Sequence, residues 1–368
     1  MIIGIDGNEA NIVNRVGIGE YAFELLFNFE KISSICKLNQ RQVKFYIYLK
    51  DSPLSHMPKE RNGWSYRVIG PKKLWTQIAL PIDLYLHRLV DVFFTPTHYS
   101  PRFSPIPTAV SIMDISYIMY PNLFKKKDLY QLINWTKYSI KNAKKIFTIS
   151  NASKNDIINH YKLIAEKVVV TYPGIKKFMI NEKKSINEQK KDYILFVGTL
   201  QPRKNIARLI EAFSYVIEKN KNLNLVIVGK KGWQYEEILT SPIKWGIEDN
   251  VIFKDFVTDL ELESLYSNAT CMVLPSLYEG FGLPVLEAMK HNCPVIVSNV
   301  SSLPEVGGDA VLYINPEDPY DIAEKINKII TNGTLRNSLI AKGKKQFKKF
   351  SWEKAARETL NVLEEMNK

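Results

Sequence analysis

Residues 193–229 read YILFVGTLQPRKNIARLIEAFSYVIEKNKNLNLVIVG, and this stretch predicts a strand, a helix and a second strand. The runs YILFVGT (193–199) and LNLVIVG (223–229) are short and apolar, and residues 205–219 between them have the apolar spacing of a helix. Short apolar strands joined by crossover helices are typical of a parallel sheet that is covered on both faces. The stretch therefore predicts an α/β fold.

The same alternation continues through the second half and predicts one α/β domain over residues 188–350. The further strands of this domain are predicted at NVIFKDF (250–256), CMVLPS (271–276), PVIVSNV (294–300) and AVLYIN (310–315), with helices at 233–245, at 260–268 and near 283–291. The tail from Pro316 to Lys368 is predicted to be helical. Ser351 is a suitable N-cap, so a separate last helix is predicted over residues 351–368.

Residues 1–178 predict a second domain of the same class, which the last helix joins. Its strands are predicted at MIIGID (1–6), VKFYIYL (43–49), WSYRVIG (64–70), DVFFTPT (91–97), PTAVSIMD (107–114), KIFTIS (145–150) and KVVVTYP (167–173), and its helices near 17–30, 74–88, 126–143 and from Ser153. The polar stretch from Gly174 to Asp192 is predicted to be a linker. The whole chain is predicted as two doubly wound, Rossmann-like parallel-sheet domains that face each other across a cleft, where ligands bind.

The composition is that of a globular protein, and its positive charge is concentrated in the first half. Of the 368 residues, 45% are hydrophobic and 24% charged, which excludes a disordered or fibrous chain. Residues 1–187 hold 27 Lys and Arg against 14 Asp and Glu, whereas residues 188–368 hold 23 against 24. This asymmetry predicts that the first half has an anionic partner, which could be a phospholipid surface, a phosphorylated lipid or a nucleic acid.

Cysteine and histidine spacing gives no sign of a disulfide framework or a metal site. Cys36, Cys271 and Cys293 are far apart and show no CxxC or zinc spacing, which favours a reducing compartment. The five histidines include no close pair. No apolar run reaches the ~18 residues of a membrane span, and MIIGIDG lacks the features of a signal peptide. We therefore expect a soluble, cytoplasmic protein without a metal.

The loop after the first strand of the second half carries two adjacent cations, Arg203 and Lys204. It runs from Gly198 to Asn205 as GTLQPRKN. Cations at the start of a helix are unfavourable unless an anion compensates them, and the free backbone N–H groups there also favour an anion. The loop therefore indicates a phosphate or diphosphate site, with two merely solvated cations as the alternative.

A second strand-to-helix loop reads EGFGLP, from Glu279 to Pro284. Gly280 and Gly282 allow the backbone to approach an oxygen-rich ligand closely. Glu287 lies eight residues after Glu279, inside an apolar run of the predicted helix. A carboxylate that accepts from two vicinal hydroxyls is the usual way to hold a ribose, and a solvated helix face is the alternative.

In the first half, Gly17 and Gly19 lie between the first strand and the first helix, in the stretch RVGIGEY (15–21). Such a loop can present backbone amides to a phosphate, although GxG alone is a weak signal. Ala22 stands where the GxGxxG fingerprint has its third glycine, so a dinucleotide-binding interpretation also stays open.

Taken together, these segments resemble the retaining glycosyltransferases of family 4, which have the GT-B fold. The likeness is carried by GTLQPRKN (198–205) and by EGFGLPVLEAM (279–289), which resembles the family's signature of two glutamates separated by seven residues. It continues through GKKGW (229–233) and SWEKAA (351–356). The resemblance implies transfer of a sugar from a nucleotide diphosphate sugar, with retained anomeric configuration and no metal cofactor. The chain also has no Asp-x-Asp motif of the metal-dependent sugar transferases.

The resemblance also implies roles for particular residues. Arg203 and Lys204 would hold the donor diphosphate and stabilise the leaving group, with Glu279 against the donor sugar and Glu287 on the ribose. The other donor-binding residues implied are Gly198, Gly280, Phe281, Gly282 and Leu283, the nucleobase contact Val257, and Gly17 and Gly19 approaching from the opposite domain. The catalytic residues implied are Glu279, Arg203 and Lys204.

One departure from the family lies at the end of the strand VSIMD (110–114). Many members have a His-Asp pair there, and in this chain Met113 takes the place of the histidine while Asp114 matches. This departure loosens the prediction of sugar identity and leaves an inactive relative as an alternative. His98, which follows the preceding strand, is the alternative candidate on the acceptor side, and a loop histidine with ordinary partners is the other interpretation.

The donor is therefore expected to be a GDP-sugar or a UDP-sugar, with mannose favoured by likeness to mannosyltransferase-like members. The acceptor is expected to be a saccharide or a lipid-linked saccharide of surface polysaccharide or lipopolysaccharide synthesis. A basic helix surface is predicted to dock on anionic lipid at the inner face of the cytoplasmic membrane, and it consists of Lys125, Lys126, Lys127, Lys137, Lys141, Lys144 and Lys145.

Three rival functions stay open. A glucose-type or galactose-type transferase would use a UDP-sugar. An NAD-dependent dehydrogenase would need an acidic residue after the second strand, which Asp51 matches in part, but it would leave the glutamates of the second half without a role. A nucleic-acid-binding protein would explain the charge, but the sequence has no recognition-helix, zinc-finger or RNA-binding strand signature, so no nucleic acid is expected.

Overall fold

The computed structural model of the chain divides into two units, and each unit contains one parallel sheet. Unit 1 comprises Met1–Pro121, Lys125–Gly174 and Ser351–Lys368, and unit 2 comprises Asn122–Phe124 and Ile175–Phe350. The structure describes residues 1–15, 17–35, 43–124, 126–176 and 192–367. Most of the predicted linker, Cys36 and Lys125 lie outside the described residues.

Unit 1 is built on a seven-stranded sheet in which every paired strand runs parallel to its neighbour. Its strands are β1 (Ile2–Asp6), β2 (Lys44–Leu49), β3 (Trp64–Val68), β4 (Val92–Thr95), β5 (Thr108–Ser111), β6 (Lys145–Thr148) and β7 (Val168–Val170). They lie in the order β3-β2-β1-β4-β5-β6-β7. The order therefore reverses between β1 and β4, which register with Ile3 opposite Val92.

Helices cover both faces of this sheet. They are α1 (Ile18–Ile35), α2 (Ala79–His87), α3 (Ser116–Met119), α4 (Lys126–Asn142) and α5 (Asn151–Tyr161), and the last helix of the chain, α13 (Trp352–Glu365), also belongs here. On one face, α13 packs against α1, where the rings of Tyr21 and Trp352 meet edge to face at 5.7 Å. On the other face, Leu80 and Leu84 of α2 pack with Tyr48 and Phe93 in a smaller core.

Unit 2 contains a six-stranded parallel sheet of the same kind. Its strands are β8 (Tyr193–Val197), β9 (Asn224–Val228), β10 (Val251–Lys254), β11 (Cys271–Leu274), β12 (Val295–Ser298) and β13 (Leu312–Ile314), and its helices are α6 (Ile206–Ile217), α7 (Glu236–Trp245), α8 (Asp259–Asn268), α9 (Leu283–Lys290), α10 (Leu303–Gly307), α11 (Pro319–Thr331) and α12 (Gly333–Gln346). The strands lie in the order β10-β9-β8-β11-β12-β13. The order therefore reverses between β8 and β11.

The apolar runs that predicted these strands form the core of unit 2. The central strands β8, β9, β11 and β12 are almost entirely buried. Leu209, Ile210 and Phe213 of α6 are fully buried, as their spacing of three and four residues along a helix predicts. A strand buried on both faces needs an uninterrupted apolar sequence, which is why these runs could be recognised without an alternating pattern.

Two helices of unit 1 begin at residues other than predicted. Helix α5 starts at Asn151 rather than Ser153, because the Ser150 side chain caps it by accepting from the backbone N–H of Ser153 at 3.0 Å. Helix α2 starts at Ala79 rather than near residue 74, since Leu74 has a left-handed φ of +53° that a helix does not tolerate. Ser351 caps α13 as predicted.

Three observations bear on the compartment and the membrane. Cys271 and Cys293 are buried free thiols. Within the described ranges, no helix is both long enough and apolar enough to cross a bilayer. Lys144 and Lys145, two members of the predicted basic surface, donate to the backbone oxygens of Met366 at 2.8 Å and Glu166 at 2.7 Å.

Candidate active site

The two cation- and glycine-bearing loops of unit 2 both start where the strand order reverses. The loop from Gly198 follows β8 and the loop that contains Glu279 follows β11, and β8 and β11 are neighbours in the sheet. A reversal of strand order opens a crevice at the carboxyl ends of the strands, and this is where doubly wound sheets bind ligands. The topology therefore brings together the two motifs that the sequence separates by about 80 residues.

Glu279 lies at the centre of a buried polar cluster. Its Oε1 atom accepts from Lys204 Nζ at 2.5 Å and from Ser276 Oγ at 2.6 Å, and its Oε2 atom lies 3.3 Å from Arg203 Nη1. Arg203 also donates to the backbone oxygen of Tyr278. All three charged side chains are largely enclosed, with 7% of the Glu279 side chain, 12% of Lys204 and 13% of Arg203 exposed.

The surroundings of Glu279 keep its carboxylate ionised. Burial by itself would raise the pKa of Glu279, but the charges of Lys204 and Arg203 and the hydrogen bonds from Lys204 and Ser276 outweigh it and lower the pKa to about 2. A buried carboxyl group is charged at neutral pH only when it has such partners. Glu279 is therefore a fixed negative charge and not a proton donor near pH 7.

Asn205 positions the two cations, although no feature of the sequence marked it as more than the end of the motif. Arg203 and Lys204 lie in a short 3-10 turn, Pro202–Lys204, that leads into α6. Asn205 follows it with a left-handed φ of +59°, and its Nδ2 donates to the backbone oxygens of Pro275 at 3.0 Å and Pro316 at 2.6 Å. These bonds tie the turn to the segment after β11, so that Lys204 meets Glu279.

Glycine is required where the two motif loops turn or touch another strand. Gly282 stands before α9 with φ +109°, and a Cβ atom there would lie 2.8 Å from Leu303 Cδ2. Gly229, after β9, lies so close to the Gly198 carbonyl that a Cβ atom would be 2.0 Å from that oxygen. The loops are consequently packed close against their neighbours at these two points.

Glu287 lies in α9 and contacts a buried tyrosine. Its Oε2 atom accepts from the Tyr266 hydroxyl at 2.9 Å, and Tyr266 is fully buried. Burial raises the pKa of Glu287, and the hydrogen bond from Tyr266 opposes that rise. The alternative of a solvated helix face for Glu287 therefore does not hold, because the residue is half-buried and a buried hydroxyl donates to its carboxylate.

The remaining predicted donor residues of unit 2 lie along the same edge of the sheet. Phe281 is buried and, like Glu279, offers its backbone oxygen to Ser302 Oγ at 2.8 Å. Gly280 is also buried, and Leu283 is the first residue of α9. Val257 lies in the loop between β10 and α8, next to the capping box formed by Thr258 and Glu261.

The candidate residues of unit 1 lie at the carboxyl edge of its own sheet. Gly17, with φ +53°, lies in the turn before α1 and Gly19 lies in the first turn of that helix, where the Gly17 oxygen accepts from the Tyr21 N–H at 3.0 Å. His98 follows β4, and its Nδ1 atom is enclosed without a hydrogen-bond partner among the described residues. Burial lowers the pKa of His98, and the charge of Asp114 opposes this shift. The interpretation of His98 as a loop histidine with ordinary partners is not supported at Nδ1.

A pocket of about 240 Å³ lies where the strand order of unit 1 reverses, away from the motifs that the sequence made prominent. Asp6, the last residue of β1, lines this pocket together with residues that include Trp75, Gln77, Tyr99 and Trp135. The Oε1 atom of Gln77 is buried and has no hydrogen-bond partner within the described part of the chain. The signal that could have found the pocket is an aspartate closing an apolar strand, IIGID.

Asp6 is a buried carboxyl group whose proton affinity is raised. Its Oδ1 atom accepts from the backbone N–H of Asn8 at 3.1 Å and from Asn8 Nδ2 at 2.8 Å. Burial raises the pKa of Asp6 to about 6, while the hydrogen bonds from Asn8 lower it in part. Carboxyl groups with perturbed pKa values in pockets are candidates for functional roles.

A larger pocket of about 970 Å³ lies at the opposite, amino-terminal edge of the unit 2 sheet, beside Asn224 and Arg336, and away from the loops that carry the motifs. Its size does not make it the better candidate, because doubly wound sheets bind ligands at the carboxyl ends of their strands. Among the residues that the structure describes, no group of three His, Cys, Asp or Glu is arranged to hold a metal ion.

Comparison with known proteins identifies relatives along most of the chain. The model of the family "Glycosyl transferases group 1" matches residues 178–346. O-antigen chain mannosyltransferase B of Escherichia coli is 32% identical over 290 residues, which are 74% of this chain and 73% of that protein.

Solved structures show the same fold. The sucrose-phosphate synthase of Thermosynechococcus elongatus aligns over 99% of this chain and 98% of its own, with a TM-score of 0.76 and 17% identity. WaaG, a glycosyltransferase involved in lipopolysaccharide biosynthesis, aligns over 99% of both chains with a TM-score of 0.71 and 15% identity.

Proposed function

The chain belongs to the group 1 glycosyl transferases and has the GT-B fold, and we propose that it transfers mannose from a nucleotide diphosphate sugar, with retention of the anomeric configuration. The relative that shares 32% of its residues is an O-antigen mannosyltransferase, which supports mannose as the sugar and a surface polysaccharide as the product. The acceptor in this proposal is a saccharide or a lipid-linked saccharide. The enzyme acts at the inner face of the cytoplasmic membrane.

The observation that carries this proposal is the buried cluster of Glu279, Lys204 and Arg203 at the switch point of unit 2. Two cations lie within 3.3 Å of one carboxylate, at the carboxyl edge of a parallel sheet and next to a glycine-bearing loop. A diphosphate fits such a place, because two cations and backbone N–H groups stabilise its charge. Glu287 then holds the ribose, and Tyr266 orients it.

In this proposal Lys204 and Arg203 supply most of the catalysis by stabilising the charge that develops on the leaving diphosphate. Glu279, with a pKa of about 2, is a poor general base at neutral pH, since an efficient base has a pKa near the working pH. Its fixed negative charge instead orients Lys204 and stabilises positive charge that develops at the anomeric carbon. The main-chain N–H groups of Gly280 to Leu283 contact the sugar and phosphates.

The acceptor is proposed to bind in the pocket of unit 1 that Asp6 lines. Trp75, Tyr99 and Trp135 supply ring surfaces, and Asp6 and Gln77 supply buried acceptor oxygens, a combination suited to a saccharide with its apolar ring faces and hydroxyl groups. His98 and Asp114 follow the neighbouring strands β4 and β5, so they are proposed to complete this side of the site. Gly17 and Gly19 are proposed as donor contacts on the evidence of the motif alone.

A donor panel tests the proposal. Purified protein is incubated with GDP-mannose, UDP-glucose or UDP-galactose and an oligosaccharide acceptor, with and without EDTA, and the anomer of the product is read by NMR. We expect turnover with GDP-mannose, an α-linked product and no effect of EDTA, since the proposed mechanism needs no metal. Turnover with a UDP-sugar alone would replace mannose by a glucose-type sugar, and an inverted product would reject the retaining mechanism.

A matched pair of lysine variants tests the site itself. Lys204→Ala removes one of the two cations on the leaving group and should lower kcat about 100-fold or more, since one such electrostatic contact is worth about 3 kcal/mol. Lys328→Ala, on the exposed side of α11, serves as the control and should turn over like the wild type. Equal rates in both variants would reject the assignment of Lys204.

A further inference from the structure

Helix α2 of unit 1 exposes an apolar face to solvent. Its inner residues Leu80 and Leu84 pack in the core, while Ile82, Tyr85 and Leu86 on the outer side are 53%, 52% and 73% exposed. Ile78 before the helix and Leu74 in the preceding turn extend this face, with 43% and 47% exposed. We name the set of Leu74, Ile78, Ile82, Tyr85 and Leu86 the α2 apolar face.

The one strongly charged side chain of α2 does not interrupt this face. Asp83 is buried on the inner side, where Arg67 of β3 donates to both of its carboxylate oxygens, at 2.7 and 2.5 Å. His87 Nδ1 lies 3.1 Å from the same carboxylate. A helix with apolar residues on both its inner and its outer side is normally covered on both sides.

Basic residues flank the α2 apolar face at both ends. Lys72 and Lys73 precede it and are exposed, although Lys72 forms an ion pair with Asp51. Arg88 ends the helix in a left-handed conformation and is also exposed. An apolar strip with cations at its ends matches the interface of an anionic bilayer, where apolar side chains enter the acyl boundary and cations meet the headgroups.

We propose that the α2 apolar face enters the interface of an anionic membrane and is the principal membrane contact of the protein. Charge complementarity favours an anionic membrane, because Lys73 and Arg88 are exposed at the two ends of the face, while Asp83, the acidic residue of α2, is buried and paired with Arg67. The face also lies in the half of the chain with the excess of positive charge. A second copy of the chain would instead place these cations against each other, at a cost in repulsion.

This assignment differs from the basic surface on α4. Lys144 and Lys145 hold backbone oxygens within unit 1, so two of its cations are engaged within the protein. The α4 surface also lacks a continuous apolar strip of the α2 kind among the exposed residues, where only Tyr130 of that helix is a large exposed hydrophobic side chain. Cations alone bind reversibly and weakly, whereas apolar side chains add an attraction that salt does not screen.

The α2 apolar face lies next to the pocket that Asp6 lines. Leu74 belongs to both, and Trp75 and Gln77, which line the pocket, follow Leu74 directly along the chain. A membrane contact there holds the mouth of the pocket near the headgroups, where the saccharide of a lipid-linked acceptor lies. This last step rests on the proposed function, whereas the membrane contact itself does not.

Vesicle flotation of the full chain tests the proposal. Wild type and the double variant Ile82→Ser/Leu86→Ser are mixed with vesicles of phosphatidylcholine alone or with added phosphatidylglycerol. Both positions are more than half exposed, so the double variant should fold, which circular dichroism checks. The control is Ile164→Ser, because Ile164 is 70% exposed in unit 1 but lies beside β7, at the other edge of the sheet from β3.

We expect wild type and Ile164→Ser to float with the phosphatidylglycerol vesicles, and the double variant to bind at least about tenfold more weakly, since burying one such side chain contributes about 1.4 kcal/mol or more. Lys73→Gln and Arg88→Gln should each weaken binding about fivefold, and Lys126→Gln/Lys127→Gln on α4 much less. Flotation of the double variant at wild-type strength would overturn the proposal. So would a wild-type dimer in vesicle-free solution that the double variant dissociates.

The two proposals can fail separately. Transfer to a short, soluble saccharide acceptor should be the same in wild type and in Ile82→Ser/Leu86→Ser, because neither side chain belongs to the proposed site. A wild-type protein that floats but transfers no sugar would count against the proposed function alone. A protein that transfers sugar to the soluble acceptor but does not float would count against the membrane contact alone.

Discussion

Replacing Asp6 by asparagine tests whether the pocket of unit 1 holds a carboxyl group that destabilises the fold once it ionises. Burial raises the pKa of Asp6 from 3.8 to about 6, hydrogen bonds from Asn8 and the charge of Lys50 oppose this rise, and the charge of Glu9 adds to it. Asparagine has nearly the same shape and keeps an oxygen that can accept both hydrogen bonds from Asn8, but it does not ionise.

The sign of the effect follows from the direction of the shift. Because the pKa of Asp6 is higher in the folded protein, the folded state keeps a proton that the unfolded chain has already released between about pH 4 and about pH 6. The contribution of Asp6 to the free energy of unfolding therefore falls as the pH rises through this window, and it stays low above it. The rise in the pKa of Asp6 from 3.8 to about 6 amounts to about 3 kcal/mol at neutral pH, since a tenfold change in proton affinity is worth about 1.4 kcal/mol.

Urea denaturation of the two proteins at several pH values measures this contribution. We expect Asp6→Asn to match the wild type near pH 4 and to become more stable than it by about 3 kcal/mol near pH 7. The difference between the proteins isolates Asp6, since all other carboxyl groups titrate in both. Asp128→Asn, at an exposed position of α4, removes the same charge outside the core of unit 1 and is the control.

The reasoning would be refuted by a difference that is constant across this pH range, or by one that grows towards acid. A constant difference would mean that the two carboxyl states are equally compatible with the fold, so that burial does not raise the pKa. A difference growing towards acid would mean that ionised Asp6 is stabilised by its surroundings, as Glu279 is. In either case the pocket would lose the feature that marks it as functional.

Three further predictions concern unit 2. Glu279→Gln should lower the free energy of unfolding by about 3 kcal/mol at pH 7, measured by urea denaturation, because Lys204 and Arg203 then share a buried site without a carboxylate; since the pKa of Glu279 is lowered to about 2, this difference should shrink as the pH falls from about 4.5 towards 2. Tyr266→Phe should raise the KM for the donor about tenfold with a smaller change in kcat, because a hydrogen bond to a carboxylate contributes about 1.5 kcal/mol; an unchanged KM would separate Glu287 from donor binding. Asn205→Gly and Asn205→Ala should each lower the free energy of unfolding by about 2 kcal/mol, because the two hydrogen bonds that Asn205 Nδ2 donates are lost. Asn205→Ala should lose about 1 kcal/mol more than Asn205→Gly, because glycine tolerates the φ of +59°. Equal losses in the two variants would mean that the strained backbone conformation contributes nothing.

The fold could be predicted because its strands are buried on both faces. Such strands need apolar runs like ILFV in β8 and VIV in β12, and these runs stand out from any surrounding sequence. Where a boundary depends on one backbone torsion, the pattern misled: the apolar residues Leu74, Trp75 and Ile78 predicted a helix that begins only at Ala79. Apolar spacing indicates which side chains pack, and it does not indicate where the chain turns.

The meeting of Lys204 and Glu279 could also be predicted, because both follow strands of one parallel sheet at its carboxyl edge. The residues that hold this pair and Glu287 in place could not. Ser276, Asn205 and Tyr266 are ordinary polar residues in the sequence, and their partners lie up to 111 residues away along the chain. The topology of a parallel sheet places two loops at the same edge, whereas a side-chain hydrogen bond also depends on how the side chains pack within a few ångströms of each other.

The two buried carboxyl groups, Asp6 and Glu279, show why charge in the sequence does not determine charge in the site. Both lie at the carboxyl end of a central strand or just beyond it, each where the strand order of its sheet reverses, and both are enclosed. Burial acts on them in the same direction, but Glu279 has two cations within 3.3 Å, and Asp6 has only the hydrogen bonds from Asn8 and the more distant charge of Lys50 against it. The pKa of Glu279 therefore falls to about 2 and that of Asp6 rises to about 6.

A fixed charge such as that of Glu279 suits the stabilisation of a developing charge, and a group that titrates near neutrality, such as Asp6, suits contact with an uncharged hydroxyl. The same residue chemistry thus gives two sites with different tasks, and the difference lies in the partners that packing supplies.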